Sequence, residues 1–284
     1  MNSAPSDLDS VILTEIAGST RRCTLPDLEK RLLRRFRIGR QQIRRAVRHL
    51  LETQKLQYTY TFGTSFLEVP VNHPLFIPPR IWITPPGMTP HLEKGQIAVF
   101  LQTGAAFGMG DHPSTRLALH ALQWVVKTLR ANSTAVLGSV LDVGTGSGVL
   151  LIAALKLGFH NGTGIDTDPC ARVEAQENLR FNRLENHARI HGRSLGFVRE
   201  KVAPVLANLR LPTILELLPE MDRRIQPGGM VVLSGIHPAE EPAIAERSAR
   251  RYWAPLWRGS EKGWSAVVFQ KGITMADGGN SESV

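Results

Sequence analysis

The sequence predicts an α/β fold: a mostly parallel sheet with helices on both faces, preceded by a small helical domain. Three observations carry this. From Gln96 onward, apolar runs of strand length alternate with segments of helical periodicity, the pattern of a parallel sheet. A glycine-rich turn joins the apolar strand at Val140–Val143 to an apolar helix. The first seventy residues instead repeat every three to four positions and contain the chain's most basic segment.

That excess is a net +9, from 34 Lys+Arg against 25 Asp+Glu in 284 residues. Thr20–Tyr60 hold 12 basic and 3 acidic residues, which leaves 22 of each in the rest of the chain. A uniformly basic coat protein is excluded. No uninterrupted apolar run reaches the ~18 residues of a transmembrane helix. The start, Met1-Asn2-Ser3-Ala4-Pro5-Ser6-Asp7, has no basic region followed by an apolar one, so no secretory signal is expected and a cytoplasmic location is. Cys23 and Cys170 are isolated and read as reduced thiols.

In the amino-terminal part, Leu8, Val11, Ile12 and Ile16 fall on one helix face. Thr24-Leu25-Pro26-Asp27 has the form of a capping box and starts a second helix with Leu25, Leu28 and Leu32. A third helix follows Gly39, with Ile43, Ala46, Val47, Leu50 and Leu51 on its apolar face. On that helix Arg40, Arg44 and Arg48 recur every four residues and form a row, beside Arg45. Tyr58, Tyr60 and Phe62 alternate as in a strand, Gly63-Thr64 reads as a turn, and Ser65 to Val69 as the returning strand. Three short helices and a hairpin, with the third helix basic, resemble a winged helix-turn-helix domain.

Residues 70–90 hold seven of the 18 prolines and cannot form a long helix. They read as a stiff linker with one short strand, Arg80–Thr84. The expected domains are 1–70 winged-helix-like, 71–96 linker, 97–271 α/β, and 272–284 a disordered polar tail.

The most informative segment is Asp142-Val143-Gly144-Thr145-Gly146-Ser147-Gly148, between a strand and a helix that Gly158 ends. Glycine allows sharp turns and close backbone approach to a ligand. A second strand, Gly162–Ile165, ends in Asp166, 22 residues after Gly144. In an open α/β sheet this sets a carboxylate beside the loop, where it can bind a ribose diol. No G-x-x-x-x-G-K-[ST] string follows Gly144, and the third position of G-x-G-x-x-G/A falls on Val149. The remaining pattern, Asp-x-Gly-x-Gly-x-Gly, resembles the S-adenosylmethionine loop of class I methyltransferases, which implies their Rossmann-like sheet.

Three further segments narrow the resemblance: Phe107-Gly108-Met109-Gly110-Asp111-His112-Pro113-Ser114-Thr115, Ala207-Asn208-Leu209, and Pro227-Gly228-Gly229 through Leu233-Ser234-Gly235-Ile236. They are similar to the F-G-T-G-x-H-P-T-T, A-N-I and P-G-G-x-x-x-L-S-G-I segments of PrmA-type methyltransferases. Those enzymes methylate lysine and amino-terminal amines of a large-subunit ribosomal protein, and related ones methylate lysines of the electron-transfer flavoprotein. The resemblance covers about residues 97–271. It implies that Thr115, Asp142, Gly144, Gly146, Gly148, Asp166 and Asn208 hold S-adenosylmethionine, with S-adenosylhomocysteine as product. It also implies that Asn208 aims the acceptor amine at the methyl group.

The sequence departs from that family at several points. Met109 and Asp111 replace usual threonines, no clear acidic residue precedes Val205-Leu206-Ala207-Asn208, and Leu-Arg-Leu-Pro follows Asn208. The family's amino-terminal βαββαβ module is not what the first seventy residues resemble. Asp111 or His112 can assist proton loss from the acceptor, and the alternative for His112 is a loop-ordering hydrogen bond. Trp253, Trp257 and Trp264 read as packing of a terminal hairpin, and the scattered His91, His120, His160 and His187 predict no metal site.

Arg40, Arg44, Arg45 and Arg48 suit contacts to a phosphate backbone or to a protein partner. Two other functions stay open. One is a DNA- or RNA-binding regulator that senses the cofactor. The other is a nucleic-acid methyltransferase, against which stands the absence of Asn/Asp-Pro-Pro-Tyr at the fourth strand's end.

Overall fold

The computed structural model describes residues 7–17, 19, 23–53, 55–61, 64–69, 74–102, 110, 112–132 and 137–272. Phe62, Gly63, Phe107 to Met109, Asp111 and the tail after Gly272 lie outside them. The chain divides into two compact units that meet in sequence at Asn72 and His73.

The first unit holds α1 (Leu8–Ala17), α2 (Leu25–Arg35), α3 (Arg40–Glu52), β1 (Gln57–Thr61) and β2 (Thr64–Glu68). Thr24 starts α2 through a reciprocal cap: its hydroxyl accepts from the Asp27 N–H, and the Asp27 carboxylate accepts from the Thr24 N–H. Ile12, Leu28, Leu32, Ile43 and Leu50 are fully buried, so the spacing read from the sequence selects the packed face of each helix. The strands pair antiparallel with Gln57 opposite Glu68. Cys23 adds a bridge to Leu67.

In the second unit, the Pro-rich stretch is more than a linker. It carries two strands where one was expected, β3 (Leu75–Ile77) and β4 (Ile81–Thr84). β3 pairs antiparallel with β4, and β4 pairs parallel with β5 (Ile97–Phe100). The prolines punctuate these strands without entering them: Pro78-Pro79 forms the turn and Pro85-Pro86 ends β4. Buried Gln123 holds that turn, accepting from the Arg80 N–H and donating to the Pro78 carbonyl.

The main sheet has seven strands in the order β11-β12-β10-β9-β6-β7-β8. They are β6 (Leu137–Val143), β7 (Phe159–Ile165), β8 (Ala188–His191), β9 (Val205–Asn208), β10 (Met230–Ile236), β11 (Trp253–Glu261) and β12 (Trp264–Lys271). The stretch from β10 to β8 is parallel, and β12 and β11 close one edge antiparallel. The helices are α4 (Pro113–Asn132), α5 (Val149–Lys156), α6 (Pro169–Phe181), α7 (Leu211–Arg224) and α8 (Glu241–Ala249).

Strand alternation divides the core in two. Val140, Leu206, Val232 and Val268 join the cluster that contains α4 and α5 residues. Leu141, Val143, Val205, Ala207, Val231 and Leu233 join Ile214, Leu218 and Met221 of α7. A one-residue slip of any strand would exchange these sets, so burial fixes the register. That register brings the carboxyl ends of β6, β7, β9 and β10 to one edge of the sheet. Among the described residues no helix is long and apolar enough to cross a membrane.

Candidate functional site

The loop after β6 is built on positive φ at Gly144 (73°), Gly146 (54°) and Gly148 (83°). The Gly144 and Thr145 N–H groups donate to the Ile165 carbonyl at 2.8 and 3.0 Å, which locks the loop to the end of β7. At Gly144 the reason for glycine is steric as well, since a Cβ would lie 2.4 Å from Leu209 Cδ2.

Asp166, one residue beyond β7, faces this loop. Its Oδ2 accepts from the Gly146 N–H at 2.9 Å and its Oδ1 from the Asp168 N–H at 2.9 Å. A carboxylate oxygen has more than one acceptor position, so a ligand diol can still bond here. Asp168 caps α6 by accepting from the Cys170 N–H.

Asp142 is buried at the foot of the loop and accepts from the Thr145 hydroxyl at 2.7 Å. Burial pushes its carboxyl up to about 7, against the opposing pull of the Thr145 hydroxyl and the Leu151 backbone. A cationic group of a ligand brought nearby would restore the charge.

Asn208 ends β9. Its Nδ2 donates to Thr115 Oγ1 at 3.3 Å, across 93 residues of sequence. Its Oδ1 is closed off from solvent and has no hydrogen-bond partner among the described residues. A buried amide oxygen left without a donor is unfavourable, and a ligand amine or ammonium would satisfy it. Thus the structure brings together Thr115 with Asn208, Asp142 with the loop, and the loop with Asp166.

Other residues in this region have structural roles that residue type alone does not announce. Gly235 has φ +84°, and a Cβ there would lie 2.6 Å from the Leu209 carbonyl oxygen and 2.9 Å from Asn208 Oδ1. Its place in the Ser-Gly-Ile string was the available signal. Ser234 is buried and donates to the Ser114 carbonyl at 2.9 Å, tying β10 to the start of α4. Asn178 donates to the Ser147 carbonyl and accepts from the Gln102 N–H, both at 2.9 Å. A polar residue at an apolar-spaced position of α6 was its only trace in sequence.

His112 stands at the start of α4. Its Nδ1 accepts from the Ser114 N–H at 3.2 Å and lies 2.8 Å from Ser114 Oγ. This geometry supports the loop-ordering alternative. Trp264 lies in the terminal hairpin, with its ring 4.7 Å from that of His112 and 4.4 Å from that of His237. Arg116 of α4 pairs with Glu261 of β11.

The basic row of the first unit is partly neutralised. Arg44 Nε donates to Glu29 Oε1 at 2.6 Å, and Arg40 Nε lies 3.8 Å from Glu29 Oε2. Glu29, on α2, is only 7% exposed and raises the Arg44 guanidinium above its ordinary value. Arg45 and Arg48 are exposed and form no ion pair among the described residues.

The model of the family "Ribosomal protein L11 methyltransferase (PrmA)" matches residues 70–272. The chain belongs to this family. The PrmA match takes in the three-stranded sheet, the glycine loop, Asp166, Asn208 and Trp264, and leaves the first 69 residues outside. The chain is 34% identical over 195 residues to ribosomal protein L11 methyltransferase of Gloeobacter violaceus, covering 69% of this chain and 58% of that one. To the enzyme of the same name from Geobacter metallireducens it is 34% identical over 180 residues, 63% of this chain and 56% of the other. The chain thus spans little more than half the length of these relatives. Among solved structures, the ribosomal protein L11 methylase of Lactobacillus delbrueckii subsp. bulgaricus aligns with TM-score 0.62 and 28% identity. That alignment covers 70% of this chain and 99% of the other.

Proposed function

We propose that this chain is an S-adenosylmethionine-dependent methyltransferase that modifies a lysine or amino-terminal amine of a ribosomal protein. The observation that carries the reading is the unpartnered, enclosed Asn208 Oδ1, held by Thr115 between the glycine loop and Gly235. The residues present fit the cofactor: Asp166 for the ribose, Asp142 for a cationic group, and the backbone of Gly144, Gly146 and Gly148 for close approach. When bound, S-adenosylmethionine supplies a methyl group already activated by the sulfonium, leaving S-adenosylhomocysteine.

The chain's own task is alignment. Asn208 Oδ1 accepts a hydrogen bond from the acceptor amine and holds its lone pair in line, with no proton transfer to Asn208 itself. Thr115 fixes the amide so that the oxygen, not the NH2, faces the acceptor. Trp264 and His112 form a wall near the start of α4. His112 orders that start and is assigned no role as a base. Asp111 lies outside the described residues.

We assign residues 1–70 the role of a winged-helix-like domain that finds the substrate assembly in the cytoplasm. Glu29 pairs closely with Arg44 and more distantly with Arg40, so Arg45 and Arg48 are the arginines of α3 left with no ion pair among the described residues for a phosphate backbone or an acidic protein face.

Labelling a cell lysate with isotopic cofactor tests the reading. Label is expected on a ribosomal protein with the wild-type chain. Asn208→Ala is expected to lower kcat/KM by about 100-fold, a loss typical of a misplaced reacting group. Cofactor binding by calorimetry should stay within a few-fold. Label on nucleic acid, or cofactor binding without turnover, would reject the reading.

A further inference from the structure

A parallel sheet is normally covered on both faces. Here the two faces of β7 and β8 differ. On one, Leu151 of α5 stands against Gly162 and Gly164, and α6 packs on β8. On the other, the connection from β8 to β9 contains only one three-residue 3-10 turn, Leu195–Phe197. That face stays open as a groove of about 690 Å³.

The groove is polar and basic. Ser139, Asn161 and Thr163 line it from β6 and β7, and Arg189 and His191 from β8. Arg193 and Arg199 line it from the connection, and Glu200 is the one carboxylate in the lining. Arg189, Arg193 and Arg199 are exposed and make no ion pair among the described residues. Phe197 is 65% exposed at the rim, with the Arg193 guanidinium 5.1 Å from its ring centre.

Three unpaired guanidinium groups in one groove call for a polyanion, and their fork geometry matches phosphate. An exposed ring beside them offers a stacking platform for an unpaired base, while hydroxyl and amide groups on the floor match base edges and a 2′-hydroxyl. A duplex hides its bases and could use only the arginines. An acidic peptide would leave Phe197 and the floor unused. We infer that this open sheet face binds single-stranded RNA. The inference goes beyond methyl transfer and does not rest on it.

The test is fluorescence anisotropy of the full chain with a labelled single-stranded RNA ten-mer of mixed sequence. Arg189→Ala/Arg199→Ala is expected to weaken binding at least ten-fold and to flatten the log–log salt slope by about 1.4, from two lost phosphate contacts. Phe197→Ala should weaken binding about five-fold or more with little change in slope. All three side chains are exposed, so thermal melting should match wild type. In an Arg45→Ala/Arg48→Ala background, which removes the exposed arginines of α3 that form no ion pair among the described residues, the groove variants should lower the remaining binding by the same factors. The inference is overturned if the wild type does not bind, if the groove variants bind as wild type does, or if loss follows only Arg45 and Arg48. Tighter binding of a polyglutamate peptide, or competition by S-adenosylhomocysteine, would overturn it as well.

Discussion

Asp142 lies where its own charge is disfavoured. Its carboxyl is raised to about 7 in the folded chain against an ordinary 3.8. Between those values the folded chain keeps a proton that the unfolded chain has released. The stability this gives is fully present at the acid end and is lost as pH rises through 7. Without added cofactor, Asp142→Asn should therefore gain on wild type in thermal melts as pH rises from 5 to 8, by about 3 kcal/mol over that range. A pH-independent difference would show that the carboxyl titrates normally. At Gly235 the expected change is purely steric. Gly235→Ala adds a Cβ at positive φ against the Leu209 carbonyl, and should cost about 2 kcal/mol in denaturant titrations together with the Asn208-dependent activity. The loop glycines and Asp166 stand out by residue type and spacing, and Asn208 through the resemblance of its string to the family's. Asn178 and Ser234 could not, because their roles are bonds to carbonyls 31 and 120 residues away.

At the scale of elements, short-range chemistry was readable and pairing was not. The Thr24 cap follows from four consecutive residues, and Thr24→Ala should lower the stability of the first unit by about 1 kcal/mol in thermal or urea unfolding. The arginine row on α3 follows from the helical repeat. Its neutralisation does not, because Glu29 belongs to α2 and meets α3 only after packing. Glu29→Gln frees Arg40 and Arg44. If α3 contacts phosphates, this variant should bind duplex DNA or ribosomal RNA with a salt slope steeper by up to about 1.8. An unchanged slope would mean that this row docks protein. Composition alone makes the Pro-rich stretch look like a linker. The prolines sit at strand ends and turns, and the strands between them are held by β5 and Gln123.

On the scale of the whole molecule, the most concentrated charge lies apart from the site residues. Thr20–Tyr60 hold 12 basic and 3 acidic residues, while the PrmA match, with the glycine loop, Asp166 and Asn208, holds 22 basic and 16 acidic over a span about five times longer. A chain starting at His73 should bind S-adenosylmethionine as the full chain does, within a few-fold by calorimetry, and methylate its target more slowly through a raised KM. Loss of cofactor binding would show that the first unit completes the site. The sequence by itself determined the α/β alternation, the helix faces, the turn glycines and the order of the site strings. Each of these depends on contacts within a few residues, so each leaves a local pattern. Only the tertiary structure decided that Asn208 reaches Thr115 with its oxygen left unpartnered among the described residues, that Glu29 meets two arginines, and that one sheet face beside β8 stays open. Those outcomes depend on which distant side chains packing brings together and which surfaces a connection is too short to cover.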